Sequence, residues 1–483
     1  MNEFPYPEVQ PFERLQVSDG LMINSQRWQL AHEYHQHRQN VLYQSLFLPG
    51  IICGLGVAPI EAPQDLPAQF RDGRWVQIQP GLAIDLQGNF IVVPTPINFR
   101  IATIAYNRAI EMVYLVLSYV DPTKLRQTNS NEILVETFRI NEKTDLPLST
   151  DIEICRLAIA EGKLEIQKPV DVFAPKACQL DMRYRLAAQI RPQNSIRIAC
   201  LQSQLGQPSP IQQRFHFLGR AMSSIAPSLS IIEPIANLDI HAELTIKHLS
   251  PYTLIYLTND QAIEINDSTE LALREYIAKG GLILIEASIR QTKLENLLEI
   301  QQELENAHHN LLKNTQSNTQ QADRALIQAE LQSELEAIKI ETNNTIQDLL
   351  NTFSSHIPME TPMQPFSDLE PDHPLRSQPF LFSHLSAIAN SPIQILTNGS
   401  VIILLGELSQ VWSGQSDLFL PRESIRNCQE LGINILNYAA QRYSIHQSMQ
   451  VNAQYQSNTA LPDESDQRRI TNMVDKLVVD KLA

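Results

Sequence analysis

Among the side chains able to do chemistry, the histidines of one predicted helix come first. In His32-Glu33-Tyr34-His35-Gln36-His37, His32 and His35 share a helical face. A zinc-binding helix reads His-Glu-x-x-His, so the second histidine comes one position early here. No third ligand follows at a suitable spacing. A solvated or partner-facing helix is the expected role, and no metal site is assigned. His308 and His309 are adjacent and diverge to different faces. The five cysteines, Cys53, Cys155, Cys178, Cys200 and Cys428, form no CxxC pair and are odd in number. That excludes a disulfide framework and a zinc knuckle, and predicts reduced, mostly buried thiols. Gly54-x-Gly56 lacks the third glycine of a dinucleotide fingerprint, and Gly280-Gly281 precedes a strand rather than opening a helix. Neither cradles a phosphate, there is no Walker A sequence, and no cofactor is expected. Asp85, between Ile84 and Leu86, is expected to cap its own Gln87-Gly88 turn.

The elements that would position such groups follow from composition and periodicity. With 483 residues, 43% hydrophobic and 19% charged, the chain can bury about three domain cores. A net charge of −16 disfavours nucleic acid as a partner and, for the chain as a whole, an anionic membrane surface. The first ten residues carry neither a basic nor an apolar signal region, and no apolar run reaches about 18 residues. A cytoplasmic, soluble protein is expected.

Residues 1–46 comprise an N-terminal segment and a helix, from Asn24 to about Leu46, with a loose apolar stripe including Trp28, Tyr34 and Tyr43. Pro49-Gly50 ends it, and Ile51 to Val57 reads as a short buried strand. Short strands separated by turns then predict a small, mostly antiparallel β-rich assembly domain over 47–170. Residues 171–213 read as a linker.

From 214 the rhythm changes. Phe215 to Leu218, Leu238 to Ile240 and Leu254 to Leu257 read as strands. A helix from Thr269 to Lys279 capped by Ser268 follows, then Gly280-Gly281 and the buried strand Leu282 to Glu286. Strand, helix, Gly-Gly, strand predicts a Rossmann-like α/β domain with a parallel sheet over 214–290 and 354–446. Residues 291–353 interrupt it with a helical hairpin or coiled-coil insertion, on whose stripes lie Leu297, Leu304, Leu311 and Leu335. A polar tail, 447–483, ends in a weakly amphipathic stretch.

Two regions resemble known families. Residues 14–94, with Arg14 to Leu21, the Tyr/His/Arg/Gln-rich helix, Cys53-Gly54-Leu55-Gly56-Val57 and Pro80 to Asp85, are similar to the N-terminal module of proteins encoded with phage-tail-like contractile injection systems. Residues 214–290 with 371–443 resemble a domain of unknown function of the DUF4159 type, related in fold to class I glutamine amidotransferases. The matching pieces are Tyr252 to Leu257, Leu273 to Ile277 with Gly280-Gly281, Asp372-His373-Pro374-Leu375, Arg422 and Gly432 to Ala439. The resemblance implies a structural component of such a particle, in the baseplate or its membrane-anchoring periphery. Its implied partners are baseplate, sheath or spike proteins, with several copies per particle. The Gln-rich style is similar to cyanobacterial chains, which implies an association with a thylakoid membrane through the assembly.

An amidotransferase fold would also imply a nucleophile elbow with a histidine and a carboxylate downstream. Here Ala287-Ser288-Ile289 replaces Gly-x-Cys-x-Gly, and His373 sits between prolines in a turn. Neither is assigned a catalytic role, and the chain is expected not to be an enzyme. Candidate interface residues are Trp28, Tyr34, Tyr43, Leu297, Leu304, Leu311 and Leu335. The alternatives are a hydrolase or amidotransferase-like enzyme with a nonstandard nucleophile, or a ligand- or carbohydrate-binding module using the α/β crevice.

Overall fold

The computed structural model describes residues 6–8, 10–105, 110–121, 135–161, 165–203, 210–313, 321–359, 361–385, 392–413 and 420–449. The side chains of 312, 313 and 321–325 are also outside the description. The chain divides into two compact units, Met1–Arg191 and Pro192–Ala483.

The first unit opens with α1 (Ser25–Leu46), whose N-cap Asn24 side chain accepts from the Arg27 amide. Then come β1 (Phe47–Leu48), β2 (Gly50–Gly54), β3 (Val57–Pro59), β4 (Trp75–Ile78), β5 (Gly81–Ile84), β6 (Phe90–Val93), β7 (Ile97–Arg100), β8 (Glu111–Val120), β9 (Thr137–Lys143), β10 (Ile152–Ile159) and β11 (Gln189–Ile190). Three three-stranded antiparallel sheets form, ordered β2-β5-β6, β3-β4-β7 and β10-β8-β9. Their inward residues, among them Val76, Ile78, Ile91, Leu115, Ile154 and Leu157, make one core. The alternation that predicts Trp75–Gln79 as a strand puts Val76 and Ile78 inside and Trp75 and Gln77 half-buried.

The expected buried strand 51–57 is two strands, because Gly54 and Leu55 both take positive φ and break the ladder. Ile52 and Cys53 face outward, so this run is apolar without being buried throughout. Gly54 is required as glycine, since a Cβ there would stand 2.1 Å from the Pro80 carbonyl oxygen.

The second unit contains β12 (Asn194–Gln202), α2 (Pro210–Ile225), β13 (Leu229–Asp239), α3 (Ile246–Leu249), β14 (Leu254–Thr258), α4 (Asn259–Ile263), α5 (Asp267–Ala278), β15 (Leu282–Ala287), α6 (Lys293–Lys313), α7 (Gln321–Ser354), β16 (Gln364–Pro365), α8 (Pro374–Ser377), β17 (Gln394–Thr397), β18 (Val401–Leu405), α9 (Leu408–Trp412) and α10 (Arg422–Met449). Its seven-stranded sheet runs β13-β12-β14-β15-β18-β17-β16. The first five are parallel, while β17 and β16 join antiparallel at one edge. The sheet is therefore mixed rather than wholly parallel. Chain order reverses between β12 and β14, a switch point of the kind at which open α/β sheets form crevices. Alternate residues of the central strands feed two cores, one under α2, α9 and α10, the other under α5 and the base of α6 and α7.

Three expectations are corrected here. The segment read as a linker contains β12, which pairs with both β13 and β14 inside the sheet. Phe215 to Leu218, read as a strand, lies in α2; its buried residues Ile211, Phe215, Leu218 and Met222 recur at helical spacing, and Pro210 suits a helix start. The α5 cap is Asn266, whose Oδ1 accepts from the Thr269 amide at 2.8 Å; Ser268 donates its hydroxyl to that oxygen.

Helices α6 and α7 pack on each other as an antiparallel pair, crossed by the ion pairs Lys293–Glu341 and Lys339–Glu305. Leu294, Leu298, Ile346, Leu350 and Phe353 set its base into the core. From Leu298 to Lys313 the arm extends about 23 Å at 1.5 Å per residue. The tail expectation falls, from residue 450 onward, outside the described residues.

Candidate functional site

The carboxyl ends of the parallel strands hold a buried polar cluster. β15 reads Leu-Ile-Leu-Ile-Glu-Ala and is buried throughout. Its Glu286 accepts from the Tyr256 hydroxyl at 2.5 Å, from the Ser409 hydroxyl at 2.5 Å and from the Ser409 amide at 2.7 Å. Arg214 on α2 donates to Ser409 Oγ at 2.9 Å. Phe215 packs edge-on against Tyr256 and tilted against Trp412, closing the apolar surround.

Two opposed effects set the protonation of Glu286. Burial pushes its pKa up, while the Ser409 and Tyr256 bonds and the Arg214 charge pull it down, and burial wins. Burial and the neighbouring carboxylate push the Tyr256 hydroxyl well above its usual range. The cluster also has a structural task. Glu407, the N-cap of α9, makes no side-chain cap bond, and the Ser409 amide of its first turn would otherwise be an orphan. Glu286 supplies that acceptor across the sheet.

Ser288 lies just past this point. It donates to Glu407 Oε1 at 3.0 Å, while Arg290 pairs with Glu407 Oε2 at 2.7 Å. His373 caps α8: its Nδ1 accepts from the Leu375 amide at 3.3 Å, and its ring sits 5.4 Å from Tyr438. Burial holds His373 below the ordinary histidine range. Tyr438 in turn donates to the Gly399 carbonyl, before the amino end of β18. Ser288 follows the carboxyl end of the parallel neighbour β15, so the structure does not bring Ser288 and His373 together.

Asp85 caps its own turn, with Oδ1 accepting from the Gln87 and Asn89 amides at 2.9 and 2.8 Å and Oδ2 from Asn89 Nδ2 at 2.9 Å. Burial nevertheless raises its pKa. The cysteines are free thiols; Cys155, Cys200 and Cys428 are buried and pushed up to about 12, Cys178 is half-buried and Cys53 exposed. Among the described residues no group of three metal-ligating side chains occurs.

The interface candidates separate into three kinds. α1 holds no buried residue along 22 residues, and Trp28 is 57% exposed with its ring edge-on to His32. Tyr34 is half-buried against Phe12 and accepts from Arg38 at 3.1 Å. Tyr43 packs on its own unit, 4.7 Å from the Phe90 ring. On the arm, Leu297 and Leu335 are buried and Leu304 and Leu311 half-buried. The open apolar surface of the arm is instead Ile300, Leu326, Ile327 and Ile340. Ile300 and Leu326 are the residues a stripe reading passes over, because they fall off the seam, whereas Ile327 and Ile340 belong to the expected stripe and are nevertheless exposed.

No motif or spacing in the sequence marks the Glu286–Tyr256–Ser409–Arg214 cluster. One signal was available: a single carboxylate at the end of an otherwise apolar parallel strand, which burial makes costly unless it is bonded.

Residues 227–440 match the family model described as "Domain of unknown function (DUF4159)". The match starts after β12 and α2, although β12 is an inner strand of the same sheet. No curated protein matches the chain. Among solved structures, one described as "Crystal structure of TssK" aligns at 9% identity with a TM-score of 0.19. It covers 69% of this chain, and this chain spans 59% of that one. At that score the likeness carries no argument. No described helix is long and apolar enough to cross a membrane.

Proposed function

We propose that this chain is a structural component of a phage-tail-like contractile injection particle, at its baseplate or the periphery that anchors it, acting through protein–protein contacts. The observation that carries the protein-contact reading is α1, a 22-residue helix with no buried residue and with Trp28, Leu30, Leu42 and Leu46 exposed. In proteins most of a helix's stability comes from packing an apolar face rather than from intrinsic propensity. A partner covering α1 supplies that packing. The resemblance of residues 14–94 to injection-system modules supports the kind of partner. The arm formed by α6 and α7, with Leu326 and Ile340 exposed, is the second docking element.

In this reading the second unit is an amidotransferase-like fold without amidotransferase chemistry. What supports it is that Ser288 is held by Glu407, while His373 is spent on capping α8. The test is sedimentation of the native particle from source cells followed by quantitative mass spectrometry. Recovery at a fixed ratio to sheath and tube proteins is expected; absence from every particle fraction overturns the reading.

A further inference from the structure

At the amino ends of the parallel strands, opposite Glu286, lies a cleft of about 310 Å³ whose polar lining is Arg274, Thr361, Asn398, Ser400, Arg442 and His446. Its size falls at the small end of ligand pockets. Arg442 and His446 stand one turn apart on α10 and so share a face. Arg274 comes from α5. Gly280 allows the close approach of α10: its φ is +93°, and a Cβ there would stand 2.4 Å from His446 Cβ. The end of α10 is further fixed by Tyr443, which donates to the Ser250 carbonyl, and Gln447, which donates to Lys279.

Arg442 is the informative residue. Its Nη2 donates to the Ile277 carbonyl at 3.2 Å, near the carboxyl end of α5, where a cation is favoured. That bond uses one of five N–H groups. Its Nε is buried with no hydrogen-bond partner. Among the described ion pairs none joins Arg442 to a carboxylate, whereas Arg274 bonds Glu270 at 3.0 Å. A half-buried guanidinium left this way in a chain of net charge −16 carries a desolvation cost that an anion would offset. Ser400 and Thr361 now donate to Asn398 at 3.1 and 3.3 Å, and hydroxyls can rotate to meet a ligand oxygen.

We infer that this cleft binds a phosphate group, seated between Arg442, His446 and Arg274. The group is either free or carried on a lipid headgroup, and the experiment distinguishes the two.

Full-length chain is titrated with inorganic phosphate by calorimetry, at ionic strength held constant with chloride, and co-sedimented with phosphatidylglycerol or phosphatidylcholine vesicles. Saturable binding of phosphate is expected. His446→Gln and Arg442→Gln are expected to weaken it about tenfold, the effect of one lost charge-assisted hydrogen bond. Because Arg442 also holds the α5 carbonyl, Arg274→Gln is the variant that leaves the packing in place, with a thermal melt in chloride checking its fold. Binding to phosphatidylglycerol vesicles alone, reduced in folded Arg274→Gln, assigns the group to a lipid. No binding of either form, or binding unchanged in folded Arg274→Gln and His446→Gln, overturns the inference.

Discussion

Glu286, near the end of β15, and Ser409, in the first turn of α9, share two hydrogen bonds: amide to Oε1 at 2.7 Å and hydroxyl to Oε2 at 2.5 Å. The two residues stand 123 positions apart, with the whole helical arm between them, so the pair joins the strand that precedes the arm to a helix that follows it. A carboxylate in this position is stabilising only while its partners are present.

Removing it entirely should therefore be severe. Glu286→Ala leaves the Tyr256 hydroxyl and the Ser409 amide without their acceptor, and opens a cavity. A loss of about 3–5 kcal/mol in denaturant unfolding is expected.

The pH dependence has a definite sign. Burial raises the folded pKa of Glu286 above its unfolded value, so the folded state binds the proton more tightly. Stability from this group is present at low pH and falls as pH rises from the unfolded value through the folded one, then levels. Glu286→Gln removes that slope and keeps an acceptor for the Ser409 amide. The difference between wild-type and Glu286→Gln unfolding free energies should shift with pH across this window and be flat above it. A constant difference at all pH values contradicts the assignment.

The two helix aromatics should behave oppositely. Trp28→Ala is expected to leave the thermal stability of the chain within about 0.5 kcal/mol, as for an exposed side chain, while reducing recovery of the chain with the particle. Tyr43→Ala removes the contact with Phe90 and should cost about 2 kcal/mol or more of stability.

Gly281 offers a packing test. A Cβ there would stand 2.2–2.4 Å from the Tyr276 ring, and Tyr276 is fully buried. Gly281→Ala should destabilise the second unit by about 1–3 kcal/mol, the range for overpacking, measured by chemical denaturation.

What could be read from the chain depended on how local the determining pattern is. Turn residues and period-two alternation located β4 to β6, and Gly280-Gly281 located the α5–β15 junction. The Asp85 turn is set within five residues, and it was legible for that reason. β12 was not: Pro192 and Gln193 beside it read as connection, and only pairing with β13 and β14, remote in sequence, makes it a strand. α2 reads locally as a strand because Phe215-His216-Phe217-Leu218 alternates, while Ile211 and Met222 reveal the helix only over a longer window. The Glu286 cluster joins residues of β14, β15, α9 and α2, and no spacing in sequence encodes that meeting. Asn434 of α10 is a similar case: its Oδ1 accepts from the Phe380 amide and its Nδ2 donates to the Leu375 and Phe380 carbonyls, holding α8 and the residues just after it.

Cross-linking mass spectrometry of the sedimented native particle tests the central claim most directly. Lys293 and Lys339 place reactive amines along the arm. Links from these lysines to a second particle protein, at a fixed stoichiometry, are the predicted result. A chain recovered only as a free monomer, with links confined to itself, would contradict the structural role.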